Sequence, residues 1–293
     1  MAALPQVARI SLKDILFPTD FSEASEGALP FALKLARTYG ARVHVAHVIL
    51  PEPHPRVLSP RMAEQENVWD EANGRLDEFT HGSRIGNVHC TSLLAIGDLG
   101  ETIPAMIREH QIGMVIVGTR GRRGVSRLVM GSKAETIYRS ASCPVMTIGP
   151  RISKSEWKPE TILCPVDLEG DPKPALEYAL ELAEDNAAEL IVMTAVSIVP
   201  WQHRAEVERE TCGRMRKLLP TFGQPDGMSE PQFLVRWEPA TEAILTCADV
   251  RQVDLIVMGV RKSRVAGLSS HLPWPVASEV VSRAGCPVIT VRI

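Results

Sequence analysis

Hydrophobic residues in this chain form short, almost wholly apolar runs separated by longer stretches with a helical period. Residues 114–117 and 255–258 are runs of this kind, as expected for strands buried on both faces of a sheet. Between such runs the apolar spacing is three or four residues, as at Leu29, Leu33 and Ala36, which is typical of a helix with one buried face. This alternation predicts parallel sheets covered by helices, with right-handed crossovers.

The same pattern predicts a strand-and-helix series in each half of the chain. The first half should contain strands at 15–18, 42–49, 89–96, 114–117 and 144–148, and helices at 22–39, 61–81, 99–110 and from Gly131 onward. The second half should contain strands ending at Val166 and at 189–196, 232–237, 254–258 and 287–292, and helices at 172–186, 203–219, 239–251 and 276–284. Ser22 should cap the first helix, Gly40 should end it, and Pro30 should kink it.

The two halves repeat each other. Ile-Leu-x-Pro-x-Asp occurs at 15–20 and 162–167, an apolar run ends on glycine at 118 and 259, and Cys-Pro-Val occurs at 143–145 and 286–288. Three markers in the same order at a nearly constant offset indicate a duplication. The polar, proline-bounded segment 149–159 is interpreted as the linker, so the expected domains are residues 1–150 and 151–293.

Composition narrows the classes of function. A formal net charge of -3 disfavours a nucleic-acid binder, which would usually carry a basic domain. Neither a signal peptide nor an apolar run of the roughly 20 residues that a membrane span needs is recognisable. The six cysteines are scattered and form no Cys-x-x-Cys pair, which is typical of reduced thiols. We therefore expect a cytoplasmic protein that binds neither nucleic acid nor membrane.

The stretch GTRGRRGVSRLVMGS, residues 118–132, follows the fourth predicted strand of the first half. Its glycines allow positive backbone torsions and close approach to a ligand. Gly131-Ser132 should begin a helix, whose free amides favour an anion, and arginines and Lys133 add positive charge. These features predict a phosphate site, although a simple turn with solvated arginines would also fit the composition. The loop matches neither G-x-x-x-x-G-K-[ST] nor the dinucleotide G-x-G-x-x-G.

The spacing Gly118-x2-Gly121-x9-Gly131-Ser132 resembles the ATP-binding signature of the universal stress protein family, G-x2-G-x9-G-[ST]. The Pro-Thr-Asp-Phe-Ser run at 18–22 and the His47-Val48 pair also resemble that family's first and second strand ends. The resemblance extends over both halves and implies an α/β fold. That fold would comprise two tandem Rossmann-like domains of the adenine nucleotide alpha-hydrolase type. Each would be a five-stranded parallel sheet of order 3-2-1-4-5 with helices on both faces.

The resemblance also implies which residues hold the nucleotide. Asp20, beside Pro18 and Thr19, should meet the ribose or the adenine edge, and the backbone of Val48 should read the adenine. The phosphate side should comprise Gly118, Arg120, Gly121, Gly131, Ser132, Lys133 and Ala134. Ala134 stands where the family usually has a small or hydroxyl residue, which should weaken one phosphate contact. The ligand would be ATP, ADP or AMP, with Mg²⁺ as a companion ion.

The second half departs from this signature. Its second glycine position is Lys262, and counting back from the shared Cys-Pro puts Trp274-Pro275 where Gly131-Ser132 stand in the first half. Proline has no amide to donate, and tryptophan adds bulk where a phosphate would lie. Asp167 survives. We therefore expect a degenerate site in the second half, with Gly267-x-Ser269-Ser270 as the alternative anion site.

Three functions remain open on the sequence. The first is a binding module that holds ATP in its first half as a regulatory or structural ligand in a stress response. The second is an enzyme, a slow ATPase or a nucleotidyl-transfer protein, although no catalytic set is recognisable. The third is a scaffold that binds no nucleotide and pairs through its last strands, as a homodimer or an intrachain pseudo-dimer. No metal site is predicted, since His44 and His47 should point to opposite faces of their strand.

Overall fold

The computed structural model of the chain describes residues 10, 12–51, 62–82, 84–119, 132–150, 152, 157–196, 200–219, 229–260 and 274–293. The first repeat contains β1 (Asp14–Pro18), α1 (Glu23–Tyr39), β2 (Arg42–Ile49), α2 (Met62–His81), β3 (Cys90–Ile96), α3 (Leu99–Glu109), β4 (Met114–Gly118), α4 (Ser132–Ser140) and β5 (Val145–Ile148). The second contains β6 (Thr161–Pro165), α5 (Lys173–Asn186), β7 (Glu189–Ala195), α6 (Arg204–Arg216), β8 (Gln232–Arg236), α7 (Ala240–Val250), β9 (Leu255–Val260), α8 (Trp274–Arg283) and β10 (Val288–Arg292). The predicted α/β alternation is confirmed in both repeats.

The described residues form two compact units. One comprises 12–119 and 132–145, and its strands follow the order β3-β2-β1-β4, with β1 and β2 parallel to their neighbours. The backbone amide of Val115 in β4 donates to the carbonyl of Pro144, directly before β5, at 3.0 Å, a distance typical of a ladder bond. These four strands follow the predicted order.

The other unit comprises Ile10 and the described residues from Met146 onward, with strand order β5-β10-β9-β6-β7-β8. When β6 to β10 are numbered 1 to 5 and the sheet is read from β8, the strand order is 3-2-1-4-5, as predicted. The prediction placed β5 wholly in the first domain, whereas Met146–Ile148 cluster with the second unit. There the Thr147 hydroxyl donates to the carbonyl of Val288 at 3.1 Å.

Local sequence signals account for the start and the end of α1. The Ser22 side chain accepts a hydrogen bond from the Ser25 amide and caps the helix, as predicted. Gly40 closes it with a φ of 64°, a left-handed conformation that glycine adopts at little cost. The helix runs through Pro30, and its apolar face, which includes Leu29 and Ala32, is buried. None of the described helices is long and apolar enough to cross a membrane.

The end of the predicted linker is part of the core of the second unit. Trp157 is 4% exposed, and its indole nitrogen donates to the carbonyl of Asp254 at 3.1 Å. The Asp254 carboxylate accepts hydrogen bonds from the amides of Glu160 and Thr161, both at 3.1 Å. The end of the predicted linker 149–159 is therefore packed against the second unit through Trp157. One indole in a polar segment has no periodicity from which its burial could be predicted.

All six cysteines are free thiols, and the one on β6 is sealed in the core. Burial raises the pKa of Cys164 to about 12 and that of Cys90 to about 11. At pH 8 a thiol with a pKa near 12 is ionised in only about one molecule in ten thousand. The thiolate is the form that reacts with alkylating reagents.

We therefore expect iodoacetamide at pH 8 to leave Cys164 unmodified in the native protein and to modify it after denaturation. Peptide mass spectrometry measures both. The half-buried Cys143 serves as an internal comparison and should be alkylated faster than Cys164. Equal labelling of Cys164 before and after denaturation would show that β6 is not buried as described.

Candidate functional site

The loop after β1 is a small hydrogen-bonded turn that fixes the carboxylate of Asp20. The Thr19 amide continues the sheet by donating to the Ala46 carbonyl at 2.8 Å, and the Thr19 hydroxyl accepts from the Phe21 amide at 2.9 Å. Asp20 Oδ1 accepts from the Ser22 amide at 3.1 Å and from the Ser22 hydroxyl. The turn therefore holds one carboxylate oxygen of Asp20 against the start of α1.

Phe21 has a strained backbone conformation in this turn, and its ring contacts two neighbouring side chains. Its φ of 55° is a left-handed conformation that non-glycine residues rarely adopt. Its ring centroid lies 4.8 Å from the ring of His47, and the guanidinium carbon of Arg75 lies 4.4 Å from the same centroid. A cation above an aromatic face is attracted to it, so Arg75 helps keep the ring in place. Sequence reasoning missed both Phe21 and Arg75, because neither role follows from spacing.

His47 joins the end of β1 to β2. Its Nδ1 donates to the Thr19 carbonyl at 2.8 Å, because a carbonyl oxygen can only accept. The second repeat keeps this bond with a different residue: the Thr194 hydroxyl donates to the Val166 carbonyl at 2.9 Å. The geometry of the strand end is therefore repeated in the two halves even though the side chains differ.

Lys133, at the start of α4, forms an ion pair with Asp20, which follows β1. Its Nζ lies 3.6 Å from Asp20 Oδ2, with side-chain exposures of 54% for the lysine and 23% for the aspartate. Ser132, the first residue of α4, is exposed. Two predicted site residues from distant parts of the sequence, Asp20 and Lys133, thus meet at the carboxyl edge of the parallel sheet, where open α/β sheets bind ligands.

Gly118 has a packing role that the sequence did not reveal. A Cβ built on it would lie 2.0 Å from the Ala24 carbonyl oxygen and 2.7 Å from the Ala24 carbonyl carbon. The sequence assigned this glycine to close passage of the chain by phosphates, which stays a prediction; the structure shows in addition that the first turn of α1 leaves no room for a Cβ there. The glycine itself indicates a close approach of some group, but its position in the sequence does not show which backbone segment makes that approach.

The other predicted residues divide into three groups. Val48 lies in β2, half-buried and paired with Ala95 of β3, and Pro18 closes β1, paired with Ala46. Ala134, on α4, is buried at 6% exposure, and its place beside the phosphates stays a prediction. The residues that lie outside the described part of the chain are Arg120, Gly121, Gly131, Lys262, Gly267, Ser269 and Ser270.

The corresponding strand end of the second repeat is closed by different contacts. Asp167 Oδ1 accepts from the Glu169 amide at 3.0 Å. The guanidinium of Arg214 donates to the Leu168 carbonyl at 3.2 Å and pairs with the Glu169 carboxylate at 3.2 Å. Helix α8 carries Val276 where α4 carries Lys133, counted from the shared Cys-Pro. The carboxylate of Asp167 thus has no lysine counterpart at that position.

The histidines of β2 have separate partners. His44 is 4% exposed; its Nε2 lies 2.8 Å from Asp14 Oδ1, and its Nδ1 lies 2.9 Å from the Thr91 hydroxyl. His47 faces Thr19 and Phe21 instead. Among the described residues, no group of three His, Cys, Asp or Glu side chains is arranged to hold a metal ion.

Comparison with known proteins gives the same two-repeat picture. The sequence profile of the universal stress protein family matches residues 11–149 and 159–292. A universal stress protein of Mycolicibacterium smegmatis is 25% identical over 95% of this chain and 96% of its own. A universal stress protein of Methanocaldococcus jannaschii is 25% identical over 46% of this chain and 81% of its own. The crystal structure of a universal stress protein from Archaeoglobus fulgidus superposes with a TM-score of 0.73 at 19% identity, covering 95% and 98% of the two chains.

Proposed function

The chain belongs to the universal stress protein family, and from that premise we propose that its first repeat binds an adenine nucleotide, ATP above all. The second repeat binds none, and the ligand is held as a regulatory or structural element. The observation that carries the proposal is the meeting of Asp20 and Lys133 at the carboxyl edge of the sheet. An acceptor and a cation side by side suit a molecule that has hydroxyl donors at one end and phosphates at the other.

Each end of the nucleotide has its own supports in this proposal. The carboxylate of Asp20, oriented by Ser22, accepts from the ribose or the adenine edge, and the Val48 backbone reads the adenine. The amides at the start of α4, the Ser132 hydroxyl and the Lys133 ammonium bind the phosphates, because a helix N-terminus attracts anions. Arg120, Gly121 and Gly131, at the signature positions, complete the phosphate side.

Mg²⁺ enters this proposal through the nucleotide. The ion prefers oxygen ligands, keeps several waters and is commonly bound by phosphates with one or two carboxylates. In the first repeat Asp20 is a carboxylate of the proposed site, and it is already paired with Lys133. The phosphates are therefore the better ligands for Mg²⁺ here, and Asp20 serves the sugar or base.

Holding is favoured over hydrolysis by the contacts of the site. Attack of water on a phosphate is promoted by a group that orients or deprotonates it. Two polar side chains at this strand end are already engaged: His47 donates to Thr19, and Ser22 donates to Asp20. The second candidate is a slow ATPase, and the third is a scaffold that pairs as a homodimer or as an intrachain pseudo-dimer. The bond from Thr147 to Val288 lies within one chain and favours the pseudo-dimer, because it joins the last strands of the two repeats.

Released nucleotide is the direct test. Purified protein is denatured, and the supernatant is analysed by mass spectrometry for ATP, ADP and AMP, with a parallel calorimetric titration of nucleotide-free protein by ATP and Mg²⁺. We expect adenine nucleotide in the supernatant or a saturable titration. If neither is found, the binding proposal fails and the scaffold remains. Phosphate release that continues beyond one turnover and depends on Asp20 would favour the ATPase.

A further inference from the structure

We propose that Lys133 makes the first-repeat site select phosphorylated adenine nucleotides over free adenosine, because its ammonium occupies Asp20 until a phosphate group draws it away. The inference rests on the proposed function and assigns to one residue the choice between two ligand classes. It follows from a contact that the nucleotide has to break. Adenosine has to compete with Lys133 for Asp20, whereas ATP supplies the lysine with a new anionic partner.

The ligand and Lys133 compete for one oxygen of the Asp20 carboxylate, Oδ2. Oδ1 is held by the amide and the hydroxyl of Ser22, on the side of α1. Oδ2 is the oxygen that faces the Lys133 ammonium at 3.6 Å. Since the turn fixes how the carboxylate is oriented, a hydroxyl or amino donor of the ligand approaches the oxygen that the lysine already neutralises.

The position of Lys133 explains why it can change partner. It is the second residue of α4, where the helix dipole repels a cation, so an anionic partner is needed to stabilise it there. Its side chain is 54% exposed and has a flexible four-carbon stem. A phosphate bound at the α4 N-terminus would lie beside the backbone of this residue. The lysine can then move from Asp20 to the phosphate by rotation of its own side chain.

The ion pair of Lys133 with Asp20 is weaker than a bond of Lys133 to a phosphate, and this difference in free energy determines the expected selectivity. Exposed ion pairs change an equilibrium by about two- to fivefold. A charge-assisted bond to a phosphate is stronger and corresponds to about tenfold or more. Losing the lysine should therefore help adenosine slightly and weaken ATP considerably.

The test compares Lys133→Met with the wild type by calorimetry, using adenosine and ATP as probes. We expect adenosine to bind about two- to fivefold more tightly to the variant and ATP to bind at least about tenfold more weakly. Lys133→Arg should keep the wild-type order, since it restores the cation. Lys34→Met, at an exposed lysine on α1, is the matched control and should change neither affinity.

The outcomes separate this inference from the proposed function. Opposite shifts for the two ligands support the selection by Lys133. Weaker or unchanged binding of adenosine to Lys133→Met, with ATP bound by the wild type, overturns the inference and leaves the nucleotide site intact. Failure of the wild type to bind ATP overturns both. Inorganic tripolyphosphate adds a check: it should bind the wild type more tightly than Lys133→Met, and equal binding would contradict the phosphate contact.

Discussion

Replacing Gly118 by alanine is expected to lower the free energy of unfolding of the first repeat by about 3 kcal/mol or more, the upper end of the cost of overpacking. The added Cβ would lie 2.0 Å from the Ala24 carbonyl oxygen. That neighbour is backbone in the first turn of α1, so it cannot give way as a side chain would. Displacing this turn would also move Ser22, which orients Asp20, so nucleotide binding should fall together with stability.

Gly259→Ala is the matched control, because Gly259 is the corresponding glycine of the second repeat. A Cβ there would meet Ile293 side-chain atoms at 3.1 and 3.3 Å, and a side chain can adjust. We expect a loss of about 1 kcal/mol or less. Urea unfolding followed by circular dichroism measures both variants. Equal, small losses in the two would contradict the close approach of Gly118 to α1.

Exchanging Gly131-Ser132 for the Trp-Pro pair of the second repeat is expected to weaken ATP binding at least about a hundredfold. Each charge-assisted hydrogen bond to a phosphate is worth about 1.5–3 kcal/mol, and the exchange removes the Ser132 hydroxyl and amide while adding bulk. Proline is tolerated at the first position of a helix, and Ser132 is that position in α4. The melting temperature should therefore change little, whereas the affinity for ATP should fall by at least about a hundredfold.

The control for this exchange is the reverse change in the second repeat, Trp274→Gly with Pro275→Ser. It should leave ATP affinity unaltered, because the first-repeat site is untouched and Val276 still stands where the first repeat has Lys133. Calorimetric titration gives the affinities, and thermal unfolding gives the stability. Full ATP affinity in the Gly131→Trp, Ser132→Pro variant would show that the signature pair does not bind phosphate.

The parts of the fold that sequence could predict are those set by local chemistry. The bounds of β2, Arg42–Ile49, were predicted to the residue, because its valines and isoleucine form a β-rich stretch bounded by Gly40 and Pro51. Ser22 and Gly40 were identified as the ends of α1 because capping needs particular residue types. The strand order followed from the family resemblance, which carries topology that no local pattern contains.

The parts that sequence could not predict depend on contacts between distant segments. Asp20 and Lys133 were assigned separately to the sugar and the phosphate, and their pairing at 3.6 Å needs the positions of β1 and α4 in space. The requirement for glycine at position 118 arises because α1 packs closely against it, and this contact cannot be predicted from spacing. The left-handed backbone of Phe21 is maintained by neighbours on β2 and α2, and no local pattern indicates a phenylalanine with a positive φ.

The central claim is that one repeat of two holds the nucleotide, and the stoichiometry of ATP binding tests it most directly. Nucleotide-free full-length protein is titrated with ATP and Mg²⁺ in a calorimeter, as wild type and as the paired variants Asp20→Ala and Asp167→Ala. We expect a single ATP per chain in the wild type, loss of that binding in Asp20→Ala, and unchanged binding in Asp167→Ala. Two equivalent sites per chain, or binding that depends on Asp167 and not on Asp20, would contradict it.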